Sequence, residues 1–244
     1  MVSVVTVDFW NTLFDSTGGE PRNAQRRRAL LDAIRGAGNE CDDARFDDVF
    51  RGIWQYFDEQ WLEQQRTPTS REMIDEMLNR LDVALDESVR ESIASTFSAG
   101  VLEHPPQLFP GASDALKELK ALGVRLALIS DTAFSPGVIL RELMEQCGVG
   151  QYFDEYVFSD ETGVAKPHPE AFRRALEPFG VSPDDACHIG DIERTDIRGA
   201  KAAGMRAVLF RGDPSPSKYA EDQTQADATI SHWDEVLAAI KQLS

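Results

Sequence analysis

The chain has 244 residues, 42% of them hydrophobic, enough for one large packed domain or for one domain carrying an insertion. Its 42 acidic and 25 basic residues give a formal net charge of −17, which disfavours nucleic acid and anionic membrane as partners and leaves an anionic substrate in need of local cations. No apolar run approaches the roughly 20 residues of a membrane span, no secretory leader is visible, and three widely spaced cysteines, Cys41, Cys147 and Cys187, predict reduced cytoplasmic thiols rather than a disulfide frame or a zinc site.

Met1–Val7 is uncharged and rich in β-branched residues, which predicts a buried strand ending at Asp8. A loop through Pro21 follows, and then only helices: Asn23–Arg35, Asp43–Gln65, Ser70–Leu81 and Asp86–Leu102. The second places Phe46, Val49, Phe50, Ile53, Trp54, Phe57 and Trp61 at three- and four-residue steps. His104-Pro105-Pro106 closes this helical stretch. From Pro110 helices and strands alternate. Helices open at Pro110-Gly111 and run over Val138–Cys147, Pro169–Phe179, Asp196–Ala203 and Trp233–Gln242. Strands fall at Val124–Ile129, Tyr156–Phe158, Ala186–Ile189, Met205–Phe210 and Ala228–Ile230. Arg211–Asp227 reads as a surface loop.

That alternation predicts an α/β fold, a doubly wound parallel sheet with an inserted α-helical domain. Residues 1–15 and 107–244 form the α/β core, and 16–106 the insertion. An insertion after the first strand stands above the carboxyl ends of the strands, where a lid is its simplest role and an ornament or a dimer surface the alternative. The oligomeric state stays open.

Polar residues follow four strands. Asp8 follows the first, Ser130-Asp131 the second, Lys166 comes after the Phe158 strand, and Gly190-Asp191 with Asp196 after Ile189. Singly, such residues are helix caps, turn formers or surface charges. Together they converge on the sheet edge where open α/β proteins bind ligands. Three carboxylates in one place repel one another unless a cation intervenes, and an all-oxygen donor set suits Mg²⁺. The cation would neutralise charge on a phosphoryl group, Lys166 and Ser130 would grip its oxygens, and Asp8 would attack phosphorus to give an aspartyl-phosphate for water to hydrolyse.

Asp8-Phe9-Trp10-Asn11-Thr12-Leu13, Ser130, Lys166 in Lys-Pro-His-Pro-Glu, and Gly190-Asp191 through Asp196 resemble, in order and spacing, the four motifs of the haloacid dehalogenase superfamily. The resemblance implies a Rossmann-like core with a cap placed after the first motif. It makes Asp8 the nucleophile and a Mg²⁺ ligand, with Ser130 and Lys166 as the other catalytic groups. It assigns the Trp10 carbonyl, Asp191 and Asp196 to the metal. Ser130, the Asp131 N–H and Lys166 would bind phosphate. The substrate would be a small phosphorylated molecule.

Trp10 departs from that pattern. The superfamily's phosphatases usually carry an aspartate there, which protonates the leaving oxygen and then activates water. An indole does neither, and general acid–base help is worth about 10²–10⁴-fold. The superfamily's 2-haloacid dehalogenases carry an aromatic residue at this position, because halide leaves unprotonated. Dehalogenation is therefore the rival reading, although those enzymes work without metal and differ in the fourth motif. A dehalogenase also needs an arginine near the substrate carboxylate. Arg26, Arg27 and Arg28 are candidates, but a solvated helix face explains them equally. A weakly active binding or regulatory protein is the third reading. Trp54, Tyr56 and Trp61 stand at a spacing that core packing explains, with stacking on a substrate ring as the other use.

Overall fold

The computed structural model describes residues 2–214 and 219–243. Six parallel strands form one sheet in the order β3-β2-β1-β4-β5-β6. They are β1 (Val4–Val7), β2 (Arg125–Ser130), β3 (Glu155–Phe158), β4 (Ala186–Gly190), β5 (Arg206–Phe210) and β6 (Ala228–Ile230). β1 lies at the centre, paired with β2 on one side (Val7 opposite Leu128) and β4 on the other (Val7 opposite Ile189). Chain order reverses across β1, so its carboxyl end is the switch point where such sheets open a crevice. The strand is shorter than its uncharged run. Met1, part of that predicted strand, lies outside the described residues.

Four helices separate β1 from the rest of the sheet: α1 (Gly19–Gly36), α2 (Asp43–Gln64), α3 (Ser70–Leu81) and α4 (Glu87–Glu103). α1 starts four residues before the sequence suggests. Pro21 is tolerated because the first turn of a helix has no use for its missing N–H. Asp42 and Thr69 cap α2 and α3 through their side chains, Thr69 in a reciprocal pair with Glu72. The apolar faces of these helices enclose their own buried cluster, including Leu30, Ile34, Phe46, Ile53, Met77 and Phe97. The strands and the later helices enclose separate ones.

The chain leaves and rejoins the sheet side by side. Asp15 accepts hydrogen bonds from Thr17 N (2.9 Å) and Gln107 N (2.8 Å), tying the two crossings together. Arg22 repeats the tie from α1, donating to the carbonyls of Thr17 (2.8 Å) and His104 (2.7 Å).

Beyond the second crossing come α5 (Ala112–Ala121), α6 (Gly137–Gln146), a short α7 (Ser159–Thr162), α8 (Pro169–Leu176), α9 (Arg198–Ala202) and α10 (Val236–Gln242). α8 is shorter than its pattern because Pro178 turns the chain into a 3-10 turn over Glu177–Phe179. The helix expected from Asp196 begins instead as a π turn over Glu193–Ile197, and α9 follows it. Part of the predicted loop Arg211–Asp227, residues 215–218, lies outside the described residues; Arg211–Pro214 and Gln223–Ala226 carry no regular structure. Among the described residues no helix is long and apolar enough to cross a membrane.

Candidate active site

Asp8 follows the last residue of β1 and is 6% exposed, so its carboxylate stands at the switch point in a nearly dry setting. Lys166, 2% exposed, reaches it from the segment after α7, with Nζ 2.5 Å from Asp8 Oδ1 and 2.7 Å from Asp196 Oδ1. Asp196 comes from the π turn. The turn folds back so tightly that its Oδ2 accepts the Ile192 N–H at 3.0 Å. Gly190 makes this possible, since a Cβ there would lie 2.4 Å from Asp196 Cγ. Asp196 is thus buried beside Asp8 and Lys166 and does not cap the following helix. Behind it, His188 is held neutral by burial. It donates from Nε2 to Asp196 Oδ1 (3.1 Å) and accepts the Thr6 hydroxyl at Nδ1 (2.8 Å), the tautomer these partners require.

Carboxylate oxygens of Asp8, Asp191 and Asp196 lie within 4.8 Å of one another. One lysine does not balance three carboxylates. Burial pushes Asp8 up to about 7, opposed by Lys166 and reinforced by Asp196. Burial, then Asp196 and Asp8, raises Asp191 well above the carboxylate range. Burial also works against the charge of Asp196, yet Lys166 and His188 hold it below its ordinary value. Burial likewise opposes the Lys166 charge, but Asp196, Asp8 and Asp131 together push the ammonium above its usual value. The donor set has no imidazole or thiolate, so the cluster fits a hard divalent cation that would offset the excess negative charge.

The other residues singled out from sequence are placed as follows. Ser130 ends β2, 1% exposed, and its hydroxyl has no hydrogen-bond partner among the described residues. Asp131 uses its side chain structurally, accepting Lys166 N on Oδ1 (2.9 Å) and the Trp61 indole N–H on Oδ2 (3.0 Å). Burial raises it to about 6. The indole of Trp10 is half-buried, edge-on to Phe9 at 4.9 Å, with the Arg22 guanidinium 5.5 Å above its face.

A cavity of about 430 Å³ opens between this cluster and the helices, lined at its floor by Asp8, Trp10, Asp131, Lys166, Asp191 and Asp196. Its walls are Trp54, Phe57, Trp61 and Phe134, with Tyr219 from the loop before β6. Trp54 and Trp61 therefore face the cavity, whereas Tyr56 packs under Arg80 away from it. The solvated helix face expected for Arg26–Arg28 holds for Arg28 alone in full. Arg27 is half-buried against Asp47, and Arg26 is 5% exposed and lines the cavity beside Asn23 and Ser135. Sequence reasoning missed Arg22, Asn23 and Tyr219. It also missed the Trp61–Asp131 bond, whose partners are 70 residues apart with no local signal.

A profile of the haloacid dehalogenase-like hydrolases matches residues 2–204. The glyceraldehyde 3-phosphate phosphatase of Pyrococcus abyssi is 29% identical over 217 residues, 86% of this chain and 82% of that protein. The phosphoserine phosphatase of Thermus thermophilus is 40% identical over 103 residues, 41% of this chain and 39% of that protein's length. Among solved structures, the 2-haloacid dehalogenase of Pseudomonas syringae superposes with a TM-score of 0.71 at 22% identity, covering 100% of both chains, a likeness of fold. The profile takes in every strand end that meets at the cavity floor, and the chain belongs to the haloacid dehalogenase-like hydrolase family.

Proposed function

We propose that the protein is a Mg²⁺-dependent phosphatase of small organic phosphates, working through an aspartyl-phosphate on Asp8. The observation that carries this reading is the cluster at the switch point, the carboxylates of Asp8, Asp191 and Asp196 gathered within 4.8 Å, with the Lys166 ammonium paired to Asp8 and Asp196. Asp8, Asp191, Asp196 and the Trp10 carbonyl would hold the cation, which when bound supplies positive charge to the phosphoryl oxygens. Lys166 holds Asp8 Oδ1 and opposes the burial that raises this carboxyl, and the bound cation would complete its ionisation, leaving Oδ2 to attack phosphorus. The ester P–O bond breaks as the Asp8–phosphorus bond forms, and the leaving oxygen departs with the electron pair. Water then attacks phosphorus, frees phosphate and restores the Asp8 carboxylate. The unpartnered Ser130 hydroxyl, the Asp131 N–H and Lys166 Nζ are the donors for the phosphoryl oxygens.

Trp10 offers no proton to the leaving oxygen, so phosphates with good leaving groups are the favoured substrates. Residues 16–106 would act as the cap over residues 1–15 and 107–244, closing the cavity over the substrate. The free thiols of Cys41, Cys147 and Cys187 suit a reducing compartment, the cytoplasm.

Dehalogenation is the second reading, favoured by Trp10 together with the cavity-facing Arg26. A panel of organic phosphates and 2-haloacids, assayed with Mg²⁺ and with chelator, separates the two. The proposal expects Mg²⁺-dependent phosphate release. Metal-independent halide release with no phosphate release would overturn it.

A further inference from the structure

Among the described residues, most arginines of the helical insertion meet a carboxylate. Arg27 pairs with Asp47, Arg71 with Asp75 and Glu87, and Arg90 with the same two acids. Arg26 does not. It is 5% exposed in a chain of net charge −17, yet its only partners are neutral. Nε donates to the Phe97 carbonyl at 3.1 Å. The two terminal nitrogens make only long contacts, NH1 with Asn23 Oδ1 at 3.4 Å and NH2 with Ser135 Oγ at 3.5 Å. The guanidinium carbon stands over the Phe134 ring, 4.8 Å from its centroid. It is therefore fixed in orientation, with its outer N–H groups turned to the cavity that Asn23 and Ser135 also line. Burial, then the charge of Arg22, lowers it to about 10, so it stays a cation at neutral pH.

A buried charge without a counter-charge is costly and is retained where a ligand supplies the partner. A guanidinium fork matches a carboxylate in two parallel hydrogen bonds. The aromatic wall of Trp54, Phe57, Trp61 and Tyr219 then lies alongside, suited to an apolar or ring-bearing body.

We infer that Arg26, with Asn23 and Ser135, is a carboxylate clamp, and that the substrate is a phosphorylated carboxylic acid whose acid group docks there while its phosphoryl group sits on Asp8. The substrate class rests on the phosphatase reading; the clamp does not. Arg22 plays a different part, because it spends its donors on the two chain crossings.

The test compares 4-carboxyphenyl phosphate with its methyl ester. They share a ring and a leaving oxygen and differ in one negative charge. The clamp predicts a kcat/KM at least about tenfold higher for the free acid, carried by KM, in keeping with a hydrogen bond to a charged group. In Arg26→Gln that ratio falls towards one, and in Arg26→Lys it is partly kept. Equal kcat/KM for the two probes in the wild type, or a ratio unchanged in Arg26→Gln, overturns the clamp. Calorimetry with the released phenols, 4-hydroxybenzoate and its methyl ester, reads the clamp without turnover. Tighter binding of the acid with no hydrolysis of either phosphate keeps the clamp and sinks the phosphatase reading. Equal binding of the two phenols sinks the clamp alone.

Discussion

On the proposed reading, Trp10 sets which phosphates the site turns over. It lines the cavity, with its ring between Phe9 and the guanidinium of Arg22, at the position where an aspartate would have served as acid and then as base. Restoring the carboxylate by Trp10→Asp is expected to raise kcat/KM for an alkyl phosphate by about tenfold or more, and to raise it less for an aryl phosphate, whose leaving oxygen needs no proton. Steady-state rates on the two substrates check this; equal or lower activity on both would mean that the indole has its own role in shaping the pocket. A second residue-scale outcome comes from Asp8. Burial lifts it to about 7, so without a cation it keeps its proton up to neutral pH. A metal ion must displace that proton, and proton and cation compete. Apparent Mg²⁺ affinity should therefore rise with pH, by roughly tenfold per unit for each proton displaced, with the contribution of Asp8 levelling off above about 7. Calorimetric titration with Mg²⁺ across that range measures it, and a pH-independent affinity would contradict the assignment.

At the scale of elements, one bond joins α2 to the end of β2: the Trp61 indole N–H to Asp131, whose other oxygen holds Lys166 N. Through it the helical insertion touches the segment that aims the lysine. Trp61→Phe keeps a ring and removes the donor. A hydrogen bond to a charged group is worth about 1.5–3 kcal/mol, so a drop in Tm of roughly 3–10 °C is expected. Thermal unfolding followed by circular dichroism checks it, and an unchanged Tm would show that the bond carries no weight. The elements themselves were largely readable. Strand ends at Asp8, Ser130 and Gly190 follow from short, largely apolar runs, β-branched before Asp8, that stop at a polar residue or a glycine, and Ser70–Leu81 runs between a capping Thr69 and the left-handed Asp82. The π turn at Glu193–Ile197 was not readable. A π turn and a first α turn draw on the same residue types, and only the close packing of Gly190 on Asp196 separates them. The burial of Arg26 was equally hidden, because Arg26, Arg27 and Arg28 are identical in type and the first is set apart by its hydrogen bond to the Phe97 carbonyl and its place over the Phe134 ring.

For the whole molecule, topology does most of the positioning. Reversal of chain order at β1 opens the crevice, and the polar segments after β1, β2, β3 and β4 meet there because parallel strands present the same ends to one edge. The helical insertion leaves and returns beside that edge, stapled by Asp15 and Arg22, so its aromatic faces roof the cavity. The fold class was thus legible from the alternation of elements. The chemistry of the roof was not, since it depends on which face of α1 and α2 turns inward. The net charge of −17 sharpens the role of the few cations inside: Lys166 and Arg26 stand where an anionic substrate would otherwise be repelled. The most direct test of phosphoryl transfer through Asp8 is to mix the protein with an aryl phosphate and Mg²⁺, quench rapidly, reduce with borohydride and map the labelled peptide. With tritiated borohydride, which releases the phosphate and leaves labelled homoserine, the account predicts one label per chain, at Asp8, because no base at Trp10 speeds hydrolysis of the aspartyl-phosphate, and none with chelator or in Asp8→Asn. Turnover that continues in Asp8→Asn, or a label on any other residue, would contradict it.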